Sequence, residues 1–174
     1  MSNYFEKISE IQFEGESSNN PLSFKYYDEN KIVLGKTMKD HLRFATCYWH
    51  TFTWPGLDPF GGPTFDRPWM ASGDPLQMAK IKLDAAFDFF KKIKTPFFCF
   101  HDRDIAPEGS TYSETKKNLD HIVDLMEIKM KDTGVKLLWG TANAFSHKRY
   151  MGGASTNPDP EVFAYVAAQV KDCM

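Results

Sequence analysis

The chain has little cysteine, no long apolar run and no marked excess of charge of either sign. Cys47, Cys99 and Cys173 are its only cysteines. Their odd number and wide spacing do not suit a disulfide framework, so reduced thiols in a cytosolic protein are expected. No apolar stretch nears the ~20 residues of a membrane span. The start, Met1-Ser2-Asn3-Tyr4-Phe5-Glu6, has neither a basic opening nor an apolar stretch, so a secretory leader is not expected. The net charge of −2 gives no support to a nucleic-acid partner, which usually leaves a basic patch. There is no glycine-rich dinucleotide or nucleotide phosphate loop. There is also no cysteine or histidine pairing at metal-ligand spacing, so no metal ligand is assigned.

What is present suits one globular domain. The 174 residues are 42% hydrophobic and 25% charged, which is the balance of a chain with a real core. The aromatic content of 15% is high enough to suggest an aromatic-walled site as well as a core. Residues 1–36 lack sustained periodicity and read as an N-terminal arm, with Thr37 capping a short helix over Lys39–Leu42. Phe44–Phe52 is apolar and β-prone, so it reads as a buried strand. The proline- and glycine-rich loop Trp54–Pro63 comes next. Asp74-Pro75 opens a helix that runs to Ile93, as a capping carboxylate followed by proline should. Phe97–Phe100 is the next strand, Thr111–Asp132 the next helix, with Gly134 ending it, and Val135–Asn143 the third strand. Pro158-Asp159-Pro160 opens a last helix, Glu161–Cys173.

Strand and helix alternate three times, which predicts βαβ units with a parallel sheet. Three parallel strands cannot bury both faces of a sheet. Residues 37–174 therefore read as the first part of a larger α/β barrel, with about three of its βα units. Barrel chemistry sits at the carboxyl ends of the strands. There the sequence places Trp49 and His50, then His101 and Asp104, then Thr141, Asn143 and Phe145. The run Phe97-Phe98-Cys99-Phe100 stops at His101-Asp102-Arg103-Asp104, so a buried strand delivers ionisable groups to its end. Histidine titrates near neutrality, and a carboxylate within reach fixes its tautomer. His101 and Asp104 are the proposed proton-transfer pair. Trp49 and Trp139 suit either core or ligand wall. Phe60 either packs on its own subunit or is donated to a neighbour, and spacing does not decide between them. His41, His50 and His121 read as structural or surface residues, and His147 as part of a solvated loop.

Several ordered blocks resemble xylose isomerase. They are Leu42–Ala45 with Tyr48–Phe52, Asp58-Pro59-Phe60-Gly61, Cys99–Asp104, Lys136–Asn143 and Gly153–Pro158. The similarity runs from Tyr4 to the last residue and fits the N-terminal portion of the longer-chain class. The resemblance implies a TIM (β/α)8 barrel, a homotetramer, a cytoplasmic location and two divalent ions, Mg²⁺ or Mn²⁺. It implies interconversion of D-xylose with D-xylulose, and of D-glucose with D-fructose. His101 would meet the sugar ring oxygen and assist ring opening, and Asp104 would orient it. Trp49 and Phe145 would wall the sugar pocket, Thr141 would lie beside it, and Phe60 would reach into a neighbouring subunit's site. The family's metal ligands, and the lysine that polarises the carbonyl, lie on strands later than those present here. The isolated chain is therefore expected not to turn over sugar. One rival is a non-catalytic fragment that pairs with a complementary piece or with full-length subunits. Another is a metal-dependent nuclease on a similar barrel, which would need a basic surface and several metal-binding histidines that the sequence does not supply.

Overall fold

The computed structural model describes residues 4–71 and 73–174. Met1, Ser2 and Asn3, the start of the expected arm, and Ser72 lie outside the described residues.

The arm is more ordered than its sequence pattern suggests. Tyr4 and Phe5 pack their rings on Trp69 at centroid distances of 5.6 and 6.5 Å. The Ile11 amide donates to the Lys92 carbonyl at 2.7 Å and ties the arm to the barrel-like part. A two-residue hairpin pairs β1 (Ile32–Val33) with β2 (Lys36–Thr37). Its turn, Leu34-Gly35, has φ of 48° and 80°. Two left-handed residues in succession match the twist of the flanking strands, which is why such turns close hairpins. The helix α1 (Met38–His41) begins at once. Thr37 does not cap it through a backbone N–H, contrary to expectation; its hydroxyl bonds the Asp40 carboxylate instead.

The expected strand Phe44–Phe52 is a second correction. Only β3 (Ala45–Cys47) is extended, and Trp49–Thr53 forms a π-helical turn closed by the Trp54 amide on the Trp49 carbonyl at 2.7 Å. The reason is packing. Tyr48 and Phe52 are both fully buried, and Phe52 meets Phe89, Phe90 and Trp69 at ring distances of 5.6–5.8 Å. A strand would send residues four apart too far along the sheet to share that pocket, whereas a helical turn stacks them on one face. A 3₁₀ turn at Pro68–Met70 then sets Trp69, whose indole N–H donates to the Phe52 carbonyl at 2.8 Å.

The helix α2 (Pro75–Lys92) starts where the sequence predicts, with the Asp74 carboxylate accepting from the Leu76 amide at 3.0 Å. Its buried face includes Ala79, Leu83, Ala86, Phe87 and Phe90. Next come β4 (Phe97–His101) and a one-turn helix α3 (Asp102–Ile105), which the sequence pattern does not reveal. The helix α4 (Tyr112–Thr133) is capped by the Thr111 hydroxyl and ends at Gly134 in the left-handed conformation, φ 75°. The strand β5 (Lys136–Thr141) is shorter than the expected Val135–Asn143, and α5 (Pro160–Asp172) closes the series.

The sheet is parallel with order β3-β4-β5, so consecutive strands lie side by side. Phe98 stacks on Phe90 at 5.3 Å and also meets Phe87, which seats α2 on the sheet. Each such buried ring contributes roughly 1.5–3 kcal/mol. The strand β5 is exposed at every position. This three-stranded α/β layer is compatible with part of a barrel; closure into a barrel is not seen. Among the described residues no helix is long and apolar enough to cross a membrane. All three cysteines are free.

Candidate active site

The central strand ends on His101, and α3 begins immediately after it. This brings Asp104 back over the strand end. One oxygen of the Asp104 carboxylate accepts the His101 backbone N–H at 2.8 Å and lies 2.9 Å from its Nδ1. A carboxylate can only accept, so Nδ1 carries a proton, and in the tautomer this selects Nε2 is the acceptor. Asp104 is buried, while the His101 side chain keeps about a sixth of its surface. The pair is thus held firmly and still reachable.

Aromatic rings surround the imidazole. Trp49 lies 4.7 Å from it, Phe145 5.2 Å away at an interplanar angle of 85°, and Trp139 6.1 Å away at 76°. Trp49 and Trp139 also meet each other at 5.4 Å. Trp49 reaches this cluster from the π-helical turn rather than from a strand end. Trp139 reaches it through an irregularity in the sheet. Phe98 pairs with Leu137 but Cys99 with Trp139, so Leu138 is an extra residue that re-aims the rest of the strand. Were the register unbroken, Leu138 would pair with Cys99 and Trp139 with Phe100, one residue out of step with His101. Thr141 lies directly across from His101 in the register, exposed at the strand end.

Five residues singled out from the sequence, His101, Asp104, Trp49, Thr141 and Phe145, therefore fall within one strand-end cluster. Phe60 does not join it. Its loop is turned by the Asp58 carboxylate, which accepts from the Phe60 and Gly62 amides at 2.8 and 2.9 Å. The ring stands 97% exposed. His50 lies 5.8 Å from Trp54, at the margin, and His41 bonds the Val33 carbonyl at 2.7 Å, far along the chain from the cluster.

Two buried groups beside the site escape a reading by motif. Lys82, on α2, is only 8% exposed, 3.5 Å from the Thr53 hydroxyl and 5.8 Å from the Tyr48 ring centroid. Burial pushes its ammonium down to about 8, with Asp104 pulling partly the other way. Its place between Ala79 and Leu83 on the apolar face was the available signal. Asp102 is 1% exposed, and its two oxygens are taken by the Asn143 amide at 2.7 Å and the Gln169 side chain at 2.8 Å. Burial also pushes the Cys99 thiol up to about 11, and that of Cys47 upward too, so neither is an activated nucleophile.

These residues do not form a divalent-ion site. The Asp104 oxygen facing His101 is committed to it, and both Asp102 oxygens are saturated. Among the described residues no three histidines, cysteines or carboxylates gather as a metal site. A cavity of about 550 Å³ lies elsewhere, between the arm and β3. Phe13, Phe24, Tyr27 and Phe44 line it, and its Lys94 is paired with Glu29. It contains none of the strand-end groups, so this cavity and the histidine–carboxylate pair lie in different places.

Parallel βα units, with a histidine–carboxylate pair and an aromatic wall at the strand ends, place the chain among α/β proteins with a parallel sheet and a candidate site at the strand ends. Comparison with known proteins then narrows the class. The chain is 58% identical over all 174 residues to the xylose isomerase of Photobacterium profundum. It is 57% identical over 174 residues to that of Roseobacter denitrificans, and 59% identical over 171 residues to that of Agrobacterium fabrum. The chain spans about two-fifths, 40%, 40% and 39%, of these relatives' lengths. No family model matches it. Over its whole length the sequence corresponds to an N-terminal portion of xylose isomerases.

Proposed function

We propose that this chain carries the ring-opening part of an aldose–ketose isomerase site, and that the whole protein interconverts D-xylose with D-xylulose and D-glucose with D-fructose. The observation that carries this reading is the buried Asp104 carboxylate 2.9 Å from His101 Nδ1, inside a box of Trp49, Trp139 and Phe145. Opening a cyclic aldose breaks the bond between the anomeric carbon and the ring oxygen. The anomeric hydroxyl becomes a carbonyl, and one proton passes from that hydroxyl to the ring oxygen. His101 Nε2 accepts and returns this proton, the work of a positioned general acid–base. Asp104 holds the tautomer. The aromatic walls stack on the apolar faces of the sugar and exclude water, and Thr141 offers a hydroxyl beside it.

In this reading Phe60 reaches a neighbouring subunit of a cytoplasmic homotetramer. The hydride shift in the whole protein would draw on the polarising charge of two divalent ions. Their ligands would come from outside this chain's residues, so no step is derived through them. The test compares the protein as its native cells make it with the 174-residue chain. D-xylose should be converted to D-xylulose in the presence of Mg²⁺ by the former and not by the latter, and His101→Asn should abolish the conversion. A native protein that leaves D-xylose unchanged, or a His101→Asn variant of it that keeps full activity, would overturn the proposal.

A second reading is favoured by β5. Its exposed edge and the exposed Leu137, Leu138 and Trp139 offer a template for another strand. A chain acting as a partner for a complementary piece, without catalysis of its own, would elute as a stable complex when co-expressed with that piece.

A further inference from the structure

We infer that Asp102 is the positioning residue that holds the Phe145 wall against His101. Its carboxylate joins three elements: α3, the loop after β5, and α5. Oδ1 accepts from the Asn143 backbone N–H at 2.7 Å and from the Arg103 N–H at 2.9 Å. Oδ2 accepts from Gln169 Nε2 at 2.8 Å, with the Arg103 guanidinium at ion-pair distance, 3.5 Å. Gln169 in turn donates to the Asn143 carbonyl at 3.1 Å and accepts from the Tyr150 hydroxyl, so its amide can face only one way.

Asn143 is thereby held at both its backbone groups. Its side chain does the rest. Oδ1 accepts from the Phe145 and Ser146 amides at 3.3 and 2.9 Å, and Nδ2 donates to the Ser146 hydroxyl at 2.9 Å. This Asx turn sets the direction in which Phe145 leaves the chain. The Phe145 ring itself is 64% exposed, so little else fixes it. Asp102 adjoins His101 in the chain. One carboxylate of α3 therefore orients the imidazole, and the other sets the distance from that imidazole to its wall.

This inference rests on the reading of His101 and Asp104 as the reacting pair, but its test uses no sugar and so fails or succeeds separately. The ring current of Phe145 acts on the His101 ring protons. In the 174-residue chain, Phe145→Leu defines the displacement of the His101 Hε1 resonance when that ring is lost. Asp102→Asn should move the same resonance in the same direction by at least half as much, while the backbone amide resonances of the three strands stay in place. The double variant should add nothing beyond Phe145→Leu alone. Should Asp102→Asn not fold, Gln169→Met, which removes one donor and leaves the carboxylate, decides the matter with a smaller displacement in the same direction. A His101 resonance that stays put in the folded variant, or displacements that simply add, would overturn the inference.

Discussion

Replacing Lys82 with methionine should make the chain more stable at neutral pH, not less. The ammonium is 8% exposed, and no carboxylate lies within ion-pair distance of it among the described residues; its nearest polar partner is the Thr53 hydroxyl at 3.5 Å. Burial lowers its titration from 10.5 to about 8. At about 1.4 kcal/mol per pH unit, keeping the charge in the folded state costs about 3 kcal/mol. The sign comes from proton counting. Between about pH 8 and 10.5 the unfolded chain holds this proton and the folded chain does not, so stability rises with pH across that window. Below about 8 both states are charged and the full cost is present. Lys82→Met removes the cost and keeps most of the packed volume, at the loss of a weak contact to Thr53 and of the ammonium's approach to the Tyr48 ring at 5.8 Å. The expected gain at pH 7 is roughly 1–3 kcal/mol, shrinking to nothing by pH 10.5, read from urea unfolding of both chains at the two pH values. A variant less stable than the parent at pH 7, with the parent's pH slope unchanged, would refute this reasoning. It would mean that the amine has a charged partner strong enough to offset its burial.

The same geometry sets other outcomes. The 174-residue chain should accelerate the interconversion of α- and β-D-xylose, by a factor on the order of 10², while forming no xylulose; His101→Gln should abolish the effect in polarimetry. Phe52→Ala should cost about 3–5 kcal/mol in urea unfolding, because it empties a pocket shared by Phe89, Phe90 and Trp69. Gly134→Ala should cost about 1 kcal/mol, entirely from the backbone, since φ is 75° and no atom lies within 4 Å of the added methyl. Cys99 should react with a thiol reagent far more slowly than a small free thiol at pH 8, and the rate should climb as pH approaches about 11.

The helices were legible because their ends carry local chemistry. Asp74-Pro75, Thr111 and Gly134 each mark a boundary that the structure keeps. The His101–Asp104 pair was legible for the same reason, since three residues of spacing suffice to fold a carboxylate back on a strand end. What stayed hidden depends on partners distant in sequence. The π-helical turn at Trp49–Thr53 exists because Phe52 finds Phe89 and Trp69, and nothing in an apolar, β-prone run announces them. The extra residue at Leu138 is likewise invisible in Lys136-Leu137-Leu138-Trp139, and yet it decides which face Trp139 joins. Asp102 looked like an accessory to the pair. Its role emerges only with Asn143 and Gln169, 41 and 67 residues further on.

The wide turn at Trp49–Thr53 has an engineering consequence. A π turn is an α turn carrying one surplus residue. Deleting a single residue between Trp49 and Phe52 would let the backbone relax to an ordinary α turn with Phe52 still anchored in the core. With β3 held in the sheet and Phe52 in the core, the residues between them, Tyr48 and Trp49, would be reset by about 100°. Trp49 would swing away from His101 and Tyr48 would lose its packing on Phe52, so a wall of the candidate site would go together with part of the core. Length variation at this turn is thus a way to remove the ring that walls His101 without substituting it.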